Sequence, residues 1–230
     1  MEIITGVVCP FCGCLCDDLE ISVNEDRIVN VKNGCVYSLT KYLNYQKERL
    51  LEPMTREGEE QTTVGLDEAV ERAAQILVDS IYPVLYGWSS TSCEAQRMGI
   101  ELAEEIGGTI DNTSTVCHGP TVEAFQELGH PSCTLGQVKN RADLIIYWGS
   151  NPLQSHLRHM SRYTIGAEGR WRKSREDRTL IVVDVRKTYT ARVADYFIQV
   201  EPNRDFELLA ALRMAIRHEE IEEDVVAGVP

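Results

Sequence analysis

Apolar and polar positions along the chain follow two different rhythms. Near the start the alternation is two-fold: Leu19-Glu20-Ile21-Ser22-Val23, a polar break at Asn24-Glu25-Asp26, then Arg27-Ile28-Val29-Asn30-Val31. Alternation on both sides of a short turn predicts a β-hairpin. A helix is expected from Ser38 to Arg49, and the polar, glycine-containing stretch from Pro53 to Thr63 reads as a linker.

From Leu66 onward the pattern changes. Ala69, Val70, Ala73, Ala74, Leu77 and Val78 share one face at helical spacing. Continuous apolar runs then appear at Pro83–Gly87, Asp143–Trp148, Thr179–Asp184 and Tyr196–Val200, with helices expected from Cys93 to Ile106 and from Phe206 to His218. Gly107-Gly108 stops the first of these helices. Strands without alternation, separated by helices, are the pattern of a parallel sheet covered on both faces. The expected fold class is therefore α/β, with a small β-rich N-terminal domain over residues 1–55. The first part of an α/β domain follows over 56–112, and a second α/β domain over 113–230. There is no internal repeat, and the final Ala227-Gly228-Val229-Pro230 adds no obvious closing element.

Composition narrows the function classes. With 43% apolar and 26% charged residues over 230 positions, the chain can bury a core. Its net charge of -13 argues against a nucleic-acid partner held by phosphate neutralisation and is accounted for by an acidic surface. No apolar run is long enough to span a bilayer, no signal peptide is expected, and no membrane partner is implied. Eight cysteines would allow four disulfides, but four of them fall between residues 9 and 16. Such crowding in a chain of this length points to a reducing, cytoplasmic setting and to metal binding.

The cysteines themselves read Cys9-Pro10-Phe11-Cys12-Gly13-Cys14-Leu15-Cys16, with Cys35 following in Asn33-Gly34-Cys35. Leaving Cys14 aside, the spacing is C-x2-C-x3-C and then one further cysteine. Thiolates on short loops select zinc, copper or an iron–sulfur cluster. The hairpin between Cys16 and Cys35 can return the fourth thiol to the first three.

Ligands of open α/β sheets sit at the carboxyl ends of strands. Three expected strands end in suitable loops: Gly87-Trp88-Ser89-Ser90-Thr91, Gly149-Ser150-Asn151-Pro152 and Asp184-Val185-Arg186-Lys187-Thr188. Glycine and serine permit close backbone approach, an aspartate accepts from hydroxyl or amino groups, and an arginine forks onto phosphate. Together they read as a nucleotide site lacking a P-loop. Cys117-His118-Gly119-Pro120 follows the polar stretch from Asn112 to Thr115, and a cysteine beside a histidine serves as nucleophile or metal ligand. Cys93 and Cys133 have no such setting and are expected to be buried as small apolar residues.

These blocks, in this order, resemble the molybdopterin oxidoreductase superfamily, and within it the formylmethanofuran dehydrogenase branch. Further matching segments are Cys16-Asp17-Asp18, Asp111-Asn112, Arg141-Ala142-Asp143, Ser155-His156, Thr190-Ala191, Ala194-Asp195, Glu201-Pro202 and Asp205. The resemblance implies that Cys9, Cys12, Cys16 and Cys35 bind a 4Fe-4S cluster. It also implies Rossmann-like domains holding two molybdopterin guanine dinucleotides, which carry tungsten or molybdenum. Cys117 would be the protein ligand to that metal. His118 would handle protons beside it, its protonated form favoured by the negative metal–sulfur centre. Gly87, Ser89, Gly149, Ser150, Asn151, His156, Asp184, Arg186, Thr188 and Asp205 would line the dinucleotide sites.

The implied reaction is reversible reduction of carbon dioxide to formate. Implied partners are an amidohydrolase-like subunit that passes formate to methanofuran, a polyferredoxin-type electron carrier, and a chain completing the pterin site. Related formate dehydrogenases carry a lysine two positions beyond the fourth cluster cysteine. Tyr37 stands there instead, with Lys32 and Lys41 as nearby cations. Chains of this kind also continue further, so this one is expected not to hold both dinucleotides alone. The readings that compete with an enzyme are a zinc-ribbon module and a subunit that only transfers electrons.

Overall fold

The computed structural model describes residues 1–112 and 114–219. Thr113 and the final Ala227-Gly228-Val229-Pro230 lie outside the described residues. In chain order the elements are β1 (Glu2–Val7), β2 (Leu19–Asn24), β3 (Arg27–Lys32), α1 (Val36–Leu43), β4 (Met54–Glu57), β5 (Glu60–Thr63), α2 (Leu66–Asp79), β6 (Val84–Gly87), α3 (Cys93–Glu105) and β7 (Thr109–Asn112). There follow α4 (Ser114–Cys117), α5 (Gly119–Leu128), α6 (Leu135–Arg141), β8 (Leu144–Trp148), α7 (Pro152–Ser155), α8 (His159–Tyr163), β9 (Thr179–Asp184), β10 (Tyr196–Gln199) and α9 (Asp205–Arg217).

The chain divides into two compact units, one made of residues 1–45 and 133 onward and the other of 46–132. This division cuts the chain at other points than the boundaries expected near residues 55 and 112. The N-terminal cysteine segment packs as one body with the sheet that begins at β8.

In the first unit the expected hairpin is present as β2 and β3, and an unanticipated β1 adds to its other edge in an antiparallel sheet of order β1-β2-β3. Leu19, Ile21 and Val31 point inward and pack with Cys9, Cys14 and Cys16. The alternation therefore serves to bury one face against the cysteine loop. The same unit holds a parallel sheet of order β10-β9-β8. Ile145, Tyr147, Leu180 and Val182 face Met160, Ile165 and Ala191 on one side, while Val183 packs with Val200 and Leu208 of α9 on the other. Coverage of the second face is partial, since Leu144 and Ile146 stay about half exposed, at 51% and 50%. The apolar run of β8 predicts burial on both faces; in the structure it alternates between buried and open positions.

The second unit contains a parallel β6–β7 pair joined through α3. The strand over Val84–Gly87, expected to be buried, has no buried residue, and neither has α2. The stretch read as a linker is a hairpin, β4 and β5, with Gly58 at φ +63° in its two-residue turn. Its strands, Met54-Thr55-Arg56-Glu57 and Glu60-Gln61-Thr62-Thr63, are polar apart from Met54, so no alternation betrays them. The first helix is shorter than expected, Val36–Leu43 rather than extending to Arg49. No helix among the described residues is long and apolar enough to cross a membrane.

Candidate functional site

The cysteine loop closes on itself before it meets anything else. Cys9 N–H donates to the Cys16 carbonyl at 2.8 Å and Leu15 N–H to the Cys12 carbonyl at 3.2 Å, with Leu15 in a left-handed conformation at φ 42°. Cys35 is the N-cap of α1, so the fourth thiol sits at a helix N-terminus, where the backbone favours negative charge. The hairpin brings Cys35 back to the first three cysteines, as its place between Cys16 and Cys35 predicts. Cys9, Cys12, Cys16 and Cys35 line one small cavity, together with Cys14, Ser38 and Arg158. Among the described residues no three Cys, His, Asp or Glu side chains converge tightly on a single ion-sized point. The thiols instead surround a space.

Two polar groups in that cavity carry no signal in the sequence. Ser38 is 1% exposed, and its Oγ has no hydrogen-bond partner among the described residues. A buried hydroxyl left unpaired costs about 1–3 kcal/mol. Gly34 makes room for it, since a Cβ at that position would lie 3.0 Å from Ser38 Oγ and 3.2 Å from Val31 Cγ1. Arg158 is held by Asp18 through two bonds of 2.7 and 2.6 Å and also donates to the Asn33 carbonyl. It thereby ties the Cys16-Asp17-Asp18 turn to the Asn33-Gly34-Cys35 turn. Arg162 reinforces the clamp, bonding Asp17 and Asp18 at 2.6 Å each.

The thiols are not equivalent. Burial, followed by the Cys12 hydrogen bond and the neighbouring thiols, pushes Cys14 up to about 12. Its Sγ faces the His156 carbonyl at 3.9 Å, and its own carbonyl accepts from Tyr163 Oη at 2.8 Å. Burial also raises Cys16, but the Arg158 and Arg162 guanidinium groups pull it back. Both thiols are shifted upward, and only at Cys16 do cations oppose the shift.

At the carboxyl end of the parallel sheet, two of the three strand-end loops share a cleft of about 560 Å³. Gly149, Ser150 and Asn151 line it from β8, and Asp184, Arg186 and Thr188 from β9. Gly149 takes φ +55° and its N–H bonds the Val183 carbonyl at 2.8 Å, so the turn begins without a side chain in the way. Asn151 Oδ1 accepts from Thr190 Oγ1 at 2.7 Å, which joins the two loops. A neighbouring pocket adds Lys187 and Arg192, giving the cleft a cationic end. Asp205 is elsewhere engaged: its Oδ1 accepts from Trp148 Nε1 at 2.6 Å at the start of α9, and it does not line this cleft.

One short segment serves both features. Asn151, Gln154 and Ser155 line the cleft, while the residues just after them meet the cysteine loop. The His156 ring lies against Gly13, with Nε2 3.4 Å from where a Cβ would be, and its Nδ1 pairs with Ser155 Oγ at 2.8 Å. Tyr37 Oη donates to the Gln154 carbonyl at 2.8 Å. The cations near Tyr37 in sequence are turned to other tasks, Lys32 paired with Glu20 and Lys41 over the Phe11 ring. Arg158 is the cation that lines the cavity.

The remaining predicted residues belong to the second unit. Gly87 ends β6 at φ +137°, and Trp88 follows at φ 47° with its ring laid against Gly99 of α3. Ser89 is exposed just beyond. Asp111 and Asn112 cap the short α4, Asn112 Oδ1 accepting from Ser114 N–H at 2.7 Å and Asp111 from Thr115 Oγ1. That cap presents Cys117 at the end of α4 and His118 at the junction with α5, both exposed. Cys93 and Cys133, expected to be buried, are exposed as well.

Residues 49–224 match the molybdopterin oxidoreductase family. A subunit of the tungsten-containing formylmethanofuran dehydrogenase 2 from Methanocaldococcus jannaschii is 49% identical, over 100% of this chain and 54% of the relative. The same-named subunit from Methanococcus maripaludis is 45% identical with the same coverage. Among solved structures, the formyltransferase/hydrolase complex from Methylorubrum extorquens in complex with methylofuran is similar with a TM-score of 0.54 and 26% identity. That match covers 68% of this chain and 43% of the other. The chain spans about half the length of the curated relatives it matches.

Proposed function

Because the chain belongs to the molybdopterin oxidoreductase family, we propose that it forms part of a formylmethanofuran dehydrogenase that interconverts carbon dioxide and formate. The two methanogen relatives bear that enzyme's name and are tungsten-containing. The observation that carries the reading is the shared segment from Asn151 to Arg158, one side of which lines a polar cleft while the other grips a cavity of thiols. An electron relay beside a bound redox cofactor needs that arrangement.

In this reading Cys9, Cys12, Cys16 and Cys35 hold a 4Fe-4S cluster. The donor set fits: soft thiolates, a cavity rather than a point, an unpaired Ser38 hydroxyl and an inward-facing Arg158. Cys14 is the thiol that the C-x2-C-x3-C spacing leaves over. The cleft suits a pterin guanine dinucleotide, with Arg186, Lys187 and Arg192 toward phosphate and Asp184 toward hydroxyl or amino groups. His156, whose ring lies against Gly13 of the cysteine loop and pairs with Ser155 of the cleft, would contribute to the dinucleotide site from its edge. Gly87 and Ser89 would contribute backbone and hydroxyl contacts to a dinucleotide from the second unit, and Asp205 would act through Trp148.

The bound tungsten or molybdenum centre supplies the two-electron chemistry. Cys117 would be its protein ligand, with His118 next to it to hold or release the proton that formate formation requires. The amidohydrolase-like subunit, the electron carrier and the chain that completes the pterin site are proposed partners, in keeping with a relative solved as part of a complex. Replacing Cys117 by alanine in the assembled complex tests the reading. Carbon dioxide–formate interconversion should be lost while the cluster signal remains; retained activity would defeat the assignment of Cys117.

A further inference from the structure

Among the described residues lining the cysteine cavity, Ser38 has a polar atom that is both buried and unspent. It stands three residues after Cys35, in the first turn of α1, and is 1% exposed. Its hydroxyl has no partner among the described residues, although it lines the same cavity as the four thiols. Serine in a helix ordinarily returns its proton to a carbonyl one turn back or turns to solvent; here neither happens. The chain also keeps Gly34 free of a Cβ that would crowd this oxygen from 3.0 Å. The space around the hydroxyl is thus preserved on the protein side, and the residue lines the thiol cavity.

We infer that the Ser38 hydroxyl donates a hydrogen bond to a sulfur of the iron–sulfur cluster held by Cys9, Cys12, Cys16 and Cys35, and so raises its reduction potential. The inference rests on the cluster assignment made above. A hydroxyl dipole aimed at sulfur stabilises the reduced cluster more than the oxidised one, because reduction adds one negative charge to the iron–sulfur core. The electron comes from the external donor, and no proton is transferred. Arg158 acts in the same direction by charge, but it is already spent on Asp18 and the Asn33 carbonyl. The Ser38 hydroxyl has no such engagement among the described residues, so its removal should alter the cluster with the least change to the fold.

The test uses the full chain, anaerobically reconstituted with iron and sulfide, as wild type and as Ser38→Ala and Ser38→Thr. Each is reduced with dithionite and followed by EPR-monitored potentiometry and by proton ENDOR in H2O and D2O. The expected result is a strongly coupled exchangeable proton in the wild type, lost in Ser38→Ala together with a downward shift of the midpoint potential. Ser38→Thr, which keeps the hydroxyl, should retain a coupling of altered size. If Ser38→Ala fails to assemble a cluster, the threonine variant decides: an unaltered coupling there overturns the inference. An identical midpoint and coupling in wild type and Ser38→Ala also overturns it while leaving the cluster assignment standing. A wild-type chain that takes up no cluster and stays colourless defeats that assignment itself.

Discussion

Arg158 and Asp18, 140 residues apart, meet through two parallel bonds of 2.7 and 2.6 Å. The pair links the cysteine loop to the segment leaving the parallel sheet, and its guanidinium end, not its carboxylate, lines the thiol cavity. Replacing Arg158 by glutamine should therefore loosen the cysteine loop. A hydrogen bond to a charged group contributes about 1.5–3 kcal/mol, and partial exposure here reduces that toward about 1–2 kcal/mol. Arg158→Lys should recover only part of the loss, since an ammonium cannot fork across a carboxylate. Chemical unfolding of the three proteins checks this, and equal midpoints would show the clamp to be idle.

The same pair predicts a pH dependence. The Arg158 hydrogen bond, more than any other influence, holds the Asp18 carboxyl below its usual range. A depressed folded value means the stabilisation is fully present above the ordinary carboxylate pKa, about 4. It is lost as pH falls from there through the folded value. Asp18→Asn should accordingly be less stable than wild type at neutral pH and approach it in acid. Unfolding midpoints measured from pH 7 down to about pH 3 should converge for the two proteins; a constant gap would contradict the pairing.

In the second unit, Trp88 depends on a missing side chain. A Cβ at Gly99 would lie 2.5 Å from the Trp88 ring, and Trp88 directly follows Gly87 in the strand-end loop. Gly99→Ala should displace the indole and disturb Ser89 beyond it, costing about 1–3 kcal/mol as an overpacked contact. A red-shifted, more quenchable tryptophan emission would report the displacement. An unchanged spectrum with unchanged stability would show that the ring can move aside freely.

The cleft makes a chemical prediction. Arg186 lines both the larger cleft and its cationic annex, so it is placed to neutralise phosphate. Arg186→Ala in the assembled complex should reduce the guanine nucleotide released on acid denaturation by several-fold, with the iron content unaltered. Loss of iron in parallel would mean that the two sites are not separable in this way.

Much of this was legible in the sequence for simple reasons. The two-fold alternation of β2 and β3 reflects burial of one face, and the apolar runs of β8 and β9 mark strands, so their positions could be read. The hairpin β4–β5 could not, because Thr62, Thr63, Arg56 and Glu60 bury nothing. The exposure of Leu144, Ile146, Val84 and Tyr86 also defeated the expectation of a sheet covered twice, since an apolar residue does not announce which surface covers it. In the site, the thiols and strand-end loops stood out by residue type and spacing. Ser38 and Arg158 did not, because a serine in a helix and an arginine in a basic stretch are ordinary until folding puts them in one cavity.

The central claim is that the four thiols hold an iron–sulfur cluster serving a pterin-bound metal. Metal and acid-labile sulfide analysis of the purified native complex, joined to its visible spectrum before and after dithionite, tests it most directly. The reading predicts iron and sulfide of about four each per chain in excess of those of any ferredoxin-type partner, a brown absorption that bleaches on reduction, and tungsten or molybdenum alongside. A complex with this chain colourless, carrying stoichiometric zinc and neither tungsten nor molybdenum, would contradict it.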